Sequence, residues 1–212
     1  MKQATMKQTS DHRPVTIARP TSGIDVADEP STDRPAESGV RASMLAPGWF
    51  HAARRASLVV AGTLVGLAAG FFFTYQFSIV PALAEVDDVV YVETFQSIND
   101  TIRNAPFGIV FFGTIPALCA ALALHARATW RRRNAIIVAL IAYVAVFAIT
   151  ATANVPLNDE LGLVTERTSA ALADARGDFE GAWNRLNLAR ALLSAASLVA
   201  VVVAAVSPAG DD

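Results

Sequence analysis

Residues 57–80 read SLVVAGTLVGLAAGFFFTYQFSIV, twenty-four positions without a charged side chain. At 1.5 Å per residue such a segment makes about 36 Å of helix, enough to cross the hydrocarbon core of a bilayer with some tilt. Arg54 and Arg55 stand at its foot behind Trp49 and Phe50, and Pro81 follows it. Inside it, Gly62, Gly66 and Gly70 recur every four residues. That spacing puts three bare patches on one helix face, where another helix can approach closely. Packing within the bundle or an oligomer contact through Gly62, Gly66 and Gly70 are both open on this pattern.

Three further apolar blocks follow, at about Pro106 to His125, Ala135 to Ala153 and Trp183 to Val206. The chain of 212 residues is 53% hydrophobic and only 17% charged, against about 25% charge in a soluble domain. The reading is an all-α, four-transmembrane-helix bundle with a short outer-loop helix and a disordered N-terminal tail. Residues 1–46 have no Phe, Trp or Tyr, and Pro14, Pro20, Pro30 and Pro35 lie among polar residues whose charges cancel. Such a segment cannot bury enough apolar surface to offset its ordering entropy. The expected organisation is a cytoplasmic tail over 1–46, a membrane domain over 47–206 and a short cytoplasmic tail over 207–212. A formal net charge of −2 leaves no basic surface for nucleic acid, and membrane lipid is the partner that the apolar blocks imply; a flat lipophilic small molecule enters only with the polar cluster and the resemblance given below.

Arginine placement sets the expected topology. Arg54 and Arg55 flank the first span, and Arg127, Arg131, Arg132 and Arg133 fill the short middle loop beside Trp130. The loop over 82–105 carries Glu85, Asp87, Asp88, Glu93 and Asp100 against Arg103, and the stretch from Asn154 to Glu180 is also acid-rich. Lys and Arg collect on the cytoplasmic side, so both termini are expected in the cytoplasm, both long loops outside, and the plasma membrane as the location. Trp183 then marks the outer interface. Pro116 predicts a kink in the second span, and Pro156 a helix end after Asn154.

The only cysteine is Cys119, so no intramolecular disulfide forms. His51 and His125 flank apolar blocks, and His125 reads as an interfacial helix-end residue. A haem held by paired histidines is not expected, nor is any other cofactor or metal. Every Asp and Glu falls in a tail or loop, which argues against a proton-coupled transporter.

The polar residues within or near the spans gather at one end: Tyr75 and Gln76 of the first span, Gln96, Asn99 and Arg103 in a loop helix over Val92 to Arg103, Asn154 and Asn158 after the third span, and Trp183, Asn187 and Arg190 in the fourth. Trp183, Asn187 and Arg190 are spaced i, i+4 and i+7 and share a helix face. An arginine two turns into a span normally faces the bundle or a wet cavity. Two uses are open: a structural cluster that satisfies loop carbonyls, or a ligand pocket.

The elements Gly70-Phe71-Phe72 with Pro81-Ala82-Leu83, Gln96-Ser97-Ile98-Asn99, Asn154-Val155-Pro156-Leu157-Asn158 and Trp183-x-x-x-Asn187-x-x-Arg190 resemble the anthrone-oxygenase-like family of four-helix membrane proteins. Most members of that family are a domain of unknown function. The resemblance covers roughly residues 57–206. It implies a compact four-helix bundle and, for a minority of members, oxygenation of an anthrone to an anthraquinone without metal or flavin. The positions it carries over are Gln96, Asn99, Asn154, Asn158, Trp183, Asn187 and Arg190. A cofactor-free oxygenase needs a base, an anion stabiliser and an apolar slot. Arg190 with Asn187 and Asn158 suits the anion, Trp183 and Tyr75 suit a flat ring, and Asp159 or Glu160 would have to serve as base. The alternative is a non-catalytic membrane protein that binds a lipid or protein partner through the same surface.

Overall fold

The computed structural model describes residues 48–208. The tail read over 1–46, and residues 209–212 of the short C-terminal tail, lie outside the described residues. Five helices make up the described residues: α1 (Gly48–Ala84), α2 (Asp88–Ile102), α3 (Ala105–Leu124), α4 (Trp130–Gly162) and α5 (Ser169–Val206). All but α2 are long and apolar enough to cross a membrane, as an integral membrane protein requires. These four close a ring in which α1 packs on α3, α3 on α4, α4 on α5 and α5 on α1.

Their starts are written in the sequence. Asp87 accepts from the Val90 amide at 2.9 Å, Asn104 from Phe107 at 3.0 Å, Thr129 from Arg132 at 3.4 Å and Thr168 from Ala171 at 3.3 Å. Each side chain satisfies an amide that has no partner within its helix. Pro106 sits in the first turn of α3, where its missing N–H costs nothing.

The spans outrun the apolar blocks. α1 passes through Pro81 to Ala84, and α4 passes through Asn154 and Pro156 to Gly162. The expected stop at Pro156 is therefore corrected, and the reason is local. Each helix widens into one π turn directly before its proline. The Val80 amide donates to the Tyr75 carbonyl, and the Val155 amide donates to the Thr150 carbonyl. A proline ring clashes with the carbonyl four residues back; a wide turn at that point relieves the clash and the helix continues. Pro116 lies within α3, which runs unbroken from Ala105 to Leu124.

The acidic stretch before Trp183 is also helical rather than a loop, since α5 starts at Ser169. Leu172, Phe179 and Trp183 form its buried stripe, packed with Tyr91 and Phe95 of α2. The acids lie on its solvated face. Arg176 clasps this part to the α1–α2 turn. Its guanidinium donates to Glu180 at 2.8 Å, Asp88 at 3.1 Å and the Val86 carbonyl at 2.8 Å, and lies 4.4 Å from the Tyr91 ring centre. Burial pushes the Tyr91 phenol above its usual range; nearby Glu180 adds to the shift and Arg176 opposes it.

The mid-bundle core is apolar, with Val65, Phe72, Leu118, Ile136, Tyr143 and Val201 among its buried members. At the glycine face of α1, a Cβ on Gly62 would stand 3.3 Å from Val201, and one on Gly66 3.8 Å from Leu198. The close helix approach expected there is made by α5 of the same chain, while Gly70 faces open space. At the end away from α2, Arg132 ties the start of α4 to the last turn of α5 through the Ala204 and Ser207 carbonyls. His125 is buried at this end, its Nδ1 2.9 Å from the Ala121 carbonyl oxygen. It is a helix-end residue, as expected, and caps the C-terminus of α3.

Candidate functional site

The stripe Trp183, Asn187 and Arg190 faces the interior of the bundle, as its spacing predicts, and all three residues are buried. Each meets a residue from the π-turn region of a neighbouring helix. The Trp183 indole N–H donates to Asn158 Oδ1 at 2.8 Å. Asn187 Nδ2 donates to Gln76 Oε1 at 3.0 Å, and its own Oδ1 accepts from Arg190 Nη2 at 3.0 Å. Arg190 Nη1 reaches Thr150 Oγ1 at 3.5 Å. A relay thus runs from α1 through α5 to α4 and fixes the guanidinium at its centre.

Arg190 is 5% exposed, yet none of the carboxylates among the described residues pairs with it. Its Nε has no hydrogen-bond partner. Its guanidinium carbon lies 4.7 Å from the Phe72 ring centre and 5.3 Å from that of Trp183. Aromatic faces attract a cation but do not neutralise it, and an unpaired buried charge is expensive.

Beside Arg190 is a chamber of about 450 Å³. Its walls are mostly apolar and aromatic: Phe71, Phe72 and Tyr75 from α1, Ile98 and Ile102 from α2, and Phe107, Gly108, Phe111 and Phe112 from α3. Phe107 and Phe111 stack with ring centres 5.5 Å apart, and Tyr75 lies 5.4 Å from Trp183. Besides Asn104 and the polar atoms of Tyr75 and Trp183, the polar groups fall into two sets. Arg190 and Thr150 form one; Asn99, Arg103, Asn158 and Asp159 form the other, where Arg103 and Asp159 make an exposed ion pair at 2.5 Å. The volume falls within the range of small-molecule sites, which are commonly apolar with a few placed polar groups.

Of the ten residues gathered from the sequence, Tyr75, Asn99, Arg103, Asn158, Trp183 and Arg190 line the chamber. Gln76 and Asn187 stand behind Arg190 and hold it. Gln96 is a staple: its Nε2 donates to the Leu161 and Val164 carbonyls at 2.8 and 3.0 Å, and its Oε1 accepts from Arg167. Asn154 is fully buried, and neither end of its amide has a hydrogen-bond partner. The proposed bases separate. Asp159 borders the chamber, whereas Glu160 borders a different cavity beside Asp178 and Phe179. Sequence reasoning missed Thr150 and the phenylalanine wall, because both lie in apolar blocks where nothing but the fold distinguishes a chamber-facing residue from a core one. Among the described residues, no group of three or more His, Cys, Asp or Glu is placed to hold a metal ion.

No curated protein and no solved structure matches the chain significantly. The family model described as anthrone oxygenase matches residues 106–200. That segment holds Asn154, Asn158, Trp183, Asn187 and Arg190 and leaves out α1 and α2. Over this segment the chain is similar to the anthrone oxygenase family, and its four apolar helices suit a membrane protein of that kind.

Proposed function

We propose that the protein is a membrane oxygenase whose chamber takes a flat lipophilic carbon acid, with the ring between Tyr75, Trp183 and the phenylalanine wall and the developing enolate oxygen at Arg190. The α2 end of the bundle faces outward and both chain ends face the cytoplasm, in plasma membrane; the arginines at the opposite end support this orientation. The observation that carries the proposal is Arg190 itself, a buried cation held in place without a carboxylate and bordering an aromatic chamber. An anion that forms during reaction supplies the missing charge, and a preorganised donor in a dry site stabilises it strongly.

Asp159 is the proton acceptor in this scheme. The acidic C–H of an anthrone loses its proton to Asp159, and the anion reacts with O2. Return of the proton gives a hydroperoxide, and loss of water from it leaves the second carbonyl. Anthrone and O2 become anthraquinone and water, with no external reductant.

Oxygen uptake by the purified protein with an anthrone tests this reading. Turnover that falls at least 100-fold in Arg190→Met and about 100-fold in Asp159→Asn supports it, in line with the usual worth of an oxyanion donor and a general base. Equal rates in wild type and Arg190→Met sink the site. The second reading is a non-catalytic protein that holds a lipid in the same chamber. Phe112 favours it, since this residue lines the chamber and is 61% exposed on the bundle surface. A stoichiometric co-purifying lipid, with no turnover of any anthrone, would select it.

A further inference from the structure

The chamber does not end at Asn99 and Asn158. A second cavity of about 370 Å³ adjoins it, bordered by Gln96, Asp100, Gly162 and Leu163. Asn99, Arg103, Asn158 and Asp159 border both cavities and form the partition between them. One half of the partition is weakly held. Arg103 and Asp159 are 62% and 56% exposed at their side chains, and exposed pairs contribute little to stability. The two compartments differ in character. The chamber is walled mostly by rings and aliphatic groups, the vestibule by amides, carboxylates and one guanidinium beside Gly162 and Leu163.

One residue of the partition is unsatisfied. Asn99 is 8% exposed, and its Nδ2 has no hydrogen-bond partner. A buried donor left unpaired is costly, so an acceptor at that position is worth more than an ordinary surface hydrogen bond. The charges around the vestibule restrict what that acceptor is. Asp100 and Asp159 stand against Arg103, which disfavours an anionic group and suits a hydroxyl, able to accept from Asn99 and donate to a carboxylate.

We infer that chamber and vestibule are one two-compartment site for an amphiphilic ligand: a flat apolar ring in the chamber, and a neutral hydroxyl-bearing substituent that takes the Asn99 hydrogen bond and extends into the vestibule. The inference rests on the chamber being a ligand site and adds the ligand's second end. Substituents that carry a carboxylate at that end are discriminated against.

Two glycines let the compartments be filled separately. Neither Gly108, which borders the chamber, nor Gly162, which borders the vestibule, has an atom within 4 Å of where a Cβ would stand. A side chain added at either position therefore starts into open space. The probes are anthraquinone, both of its mono-hydroxymethyl isomers and both of its mono-carboxylate isomers. Binding is read by quenching of Trp183 in full-length protein with Trp49→Phe and Trp130→Phe; these two residues are 70% and 72% exposed, and their removal leaves one tryptophan.

At least one hydroxymethyl isomer is expected to bind ten-fold tighter than the parent ring, the worth of one well-placed hydrogen bond. Gly162→Phe should reduce that advantage below two-fold and leave the parent ring's affinity within two-fold, and Asn99→Leu should likewise reduce the advantage below two-fold. Gly108→Leu should weaken every probe. The carboxylate isomers should gain nothing from the vestibule and be indifferent to Gly162→Phe. Equal affinity of parent and hydroxymethyl probes in the wild-type background, or an advantage that survives Gly162→Phe, overturns the inference and leaves the chamber reading standing. If no probe quenches Trp183, or quenching is unchanged in Gly108→Leu, the chamber reading fails and this inference with it.

Discussion

Arg176 and Arg190 lie on the same helix, fourteen residues apart, or about 21 Å along its axis. Each rests against an aromatic ring, 4.4 Å from Tyr91 in one case and 4.7 Å from Phe72 in the other. There the likeness ends. Arg176 meets two carboxylates and several main-chain carbonyls. Arg190 meets one amide oxygen and one hydroxyl, and no carboxylate. The first arginine is neutralised where it stands and does the work of a clasp. The second is oriented but left charged. A protein that only needed to fill this place in α5 would be better served by an apolar side chain, and the difference is what the proposed anion site requires.

The comparison can be broken most sharply at Arg190. Arg190→Met should cut the affinity for a flat anionic probe by about 100-fold or more, while the thermal midpoint in detergent holds or rises because a buried cation has been removed. Binding that survives, together with a fall of many degrees in the midpoint, would make Arg190 structural like its neighbour. Arg176→Met should do the reverse. Loss of the clasp leaves Asp88 and Glu180 without their partner and costs about 3 kcal/mol of stability, with affinity per folded molecule unchanged; unfolding and binding measured on one preparation decide it.

Tyr91→Phe sharpens the picture further. Arg176 uses the ring, and the buried Tyr91 hydroxyl has no hydrogen-bond partner, so its removal should be neutral or stabilising by up to about 1 kcal/mol. It should also flatten alkaline destabilisation. The folded phenol titrates above the unfolded one, so its share of stability is present below about pH 10 and is lost as pH rises toward the folded value. A steeper alkaline loss in the variant would contradict this. Smallest of all, Arg103→Ala should change stability by less than about 1 kcal/mol, because both members of its ion pair are exposed; a larger loss in thermal unfolding would show that the partition is a strut.

The spans and the convergence of polar residues were readable because hydropathy and helical spacing are local properties. Trp183, Asn187 and Arg190 share a face at any reading of the 3.6-residue period, and the structure buries all three. Helix length was less readable. From Ser169 to Glu180 the charges suggested a loop, because a solvated helical face and a loop have similar composition; the signal was the buried spacing of Leu172, Phe179 and Trp183. Gln96 was placed at the right end, but its work as a staple depends on carbonyls of Leu161 and Val164 some sixty-five residues away. No pattern in the chain announces such a contact. Likewise Phe107 and Phe111 became walls only when α3 closed against α1 and α4.

The two π turns change how positions along α1 and α4 should be counted. A wide turn holds one residue more than the helix on either side needs, so it behaves as a single-residue insertion that advances everything beyond it by about 100°. Tyr75 and Thr150, which open these turns, both border the chamber, and the residues that follow belong to a different phase of their helices. Deleting one residue from 76–79 or from 151–154 would therefore leave an apolar helix of nearly the same length and composition. It would also turn Asn158 and Asp159 away from Trp183 and Arg103, or swing the end of α1 off the Arg176 clasp. Hydropathy would not register the change, and the site would be gone.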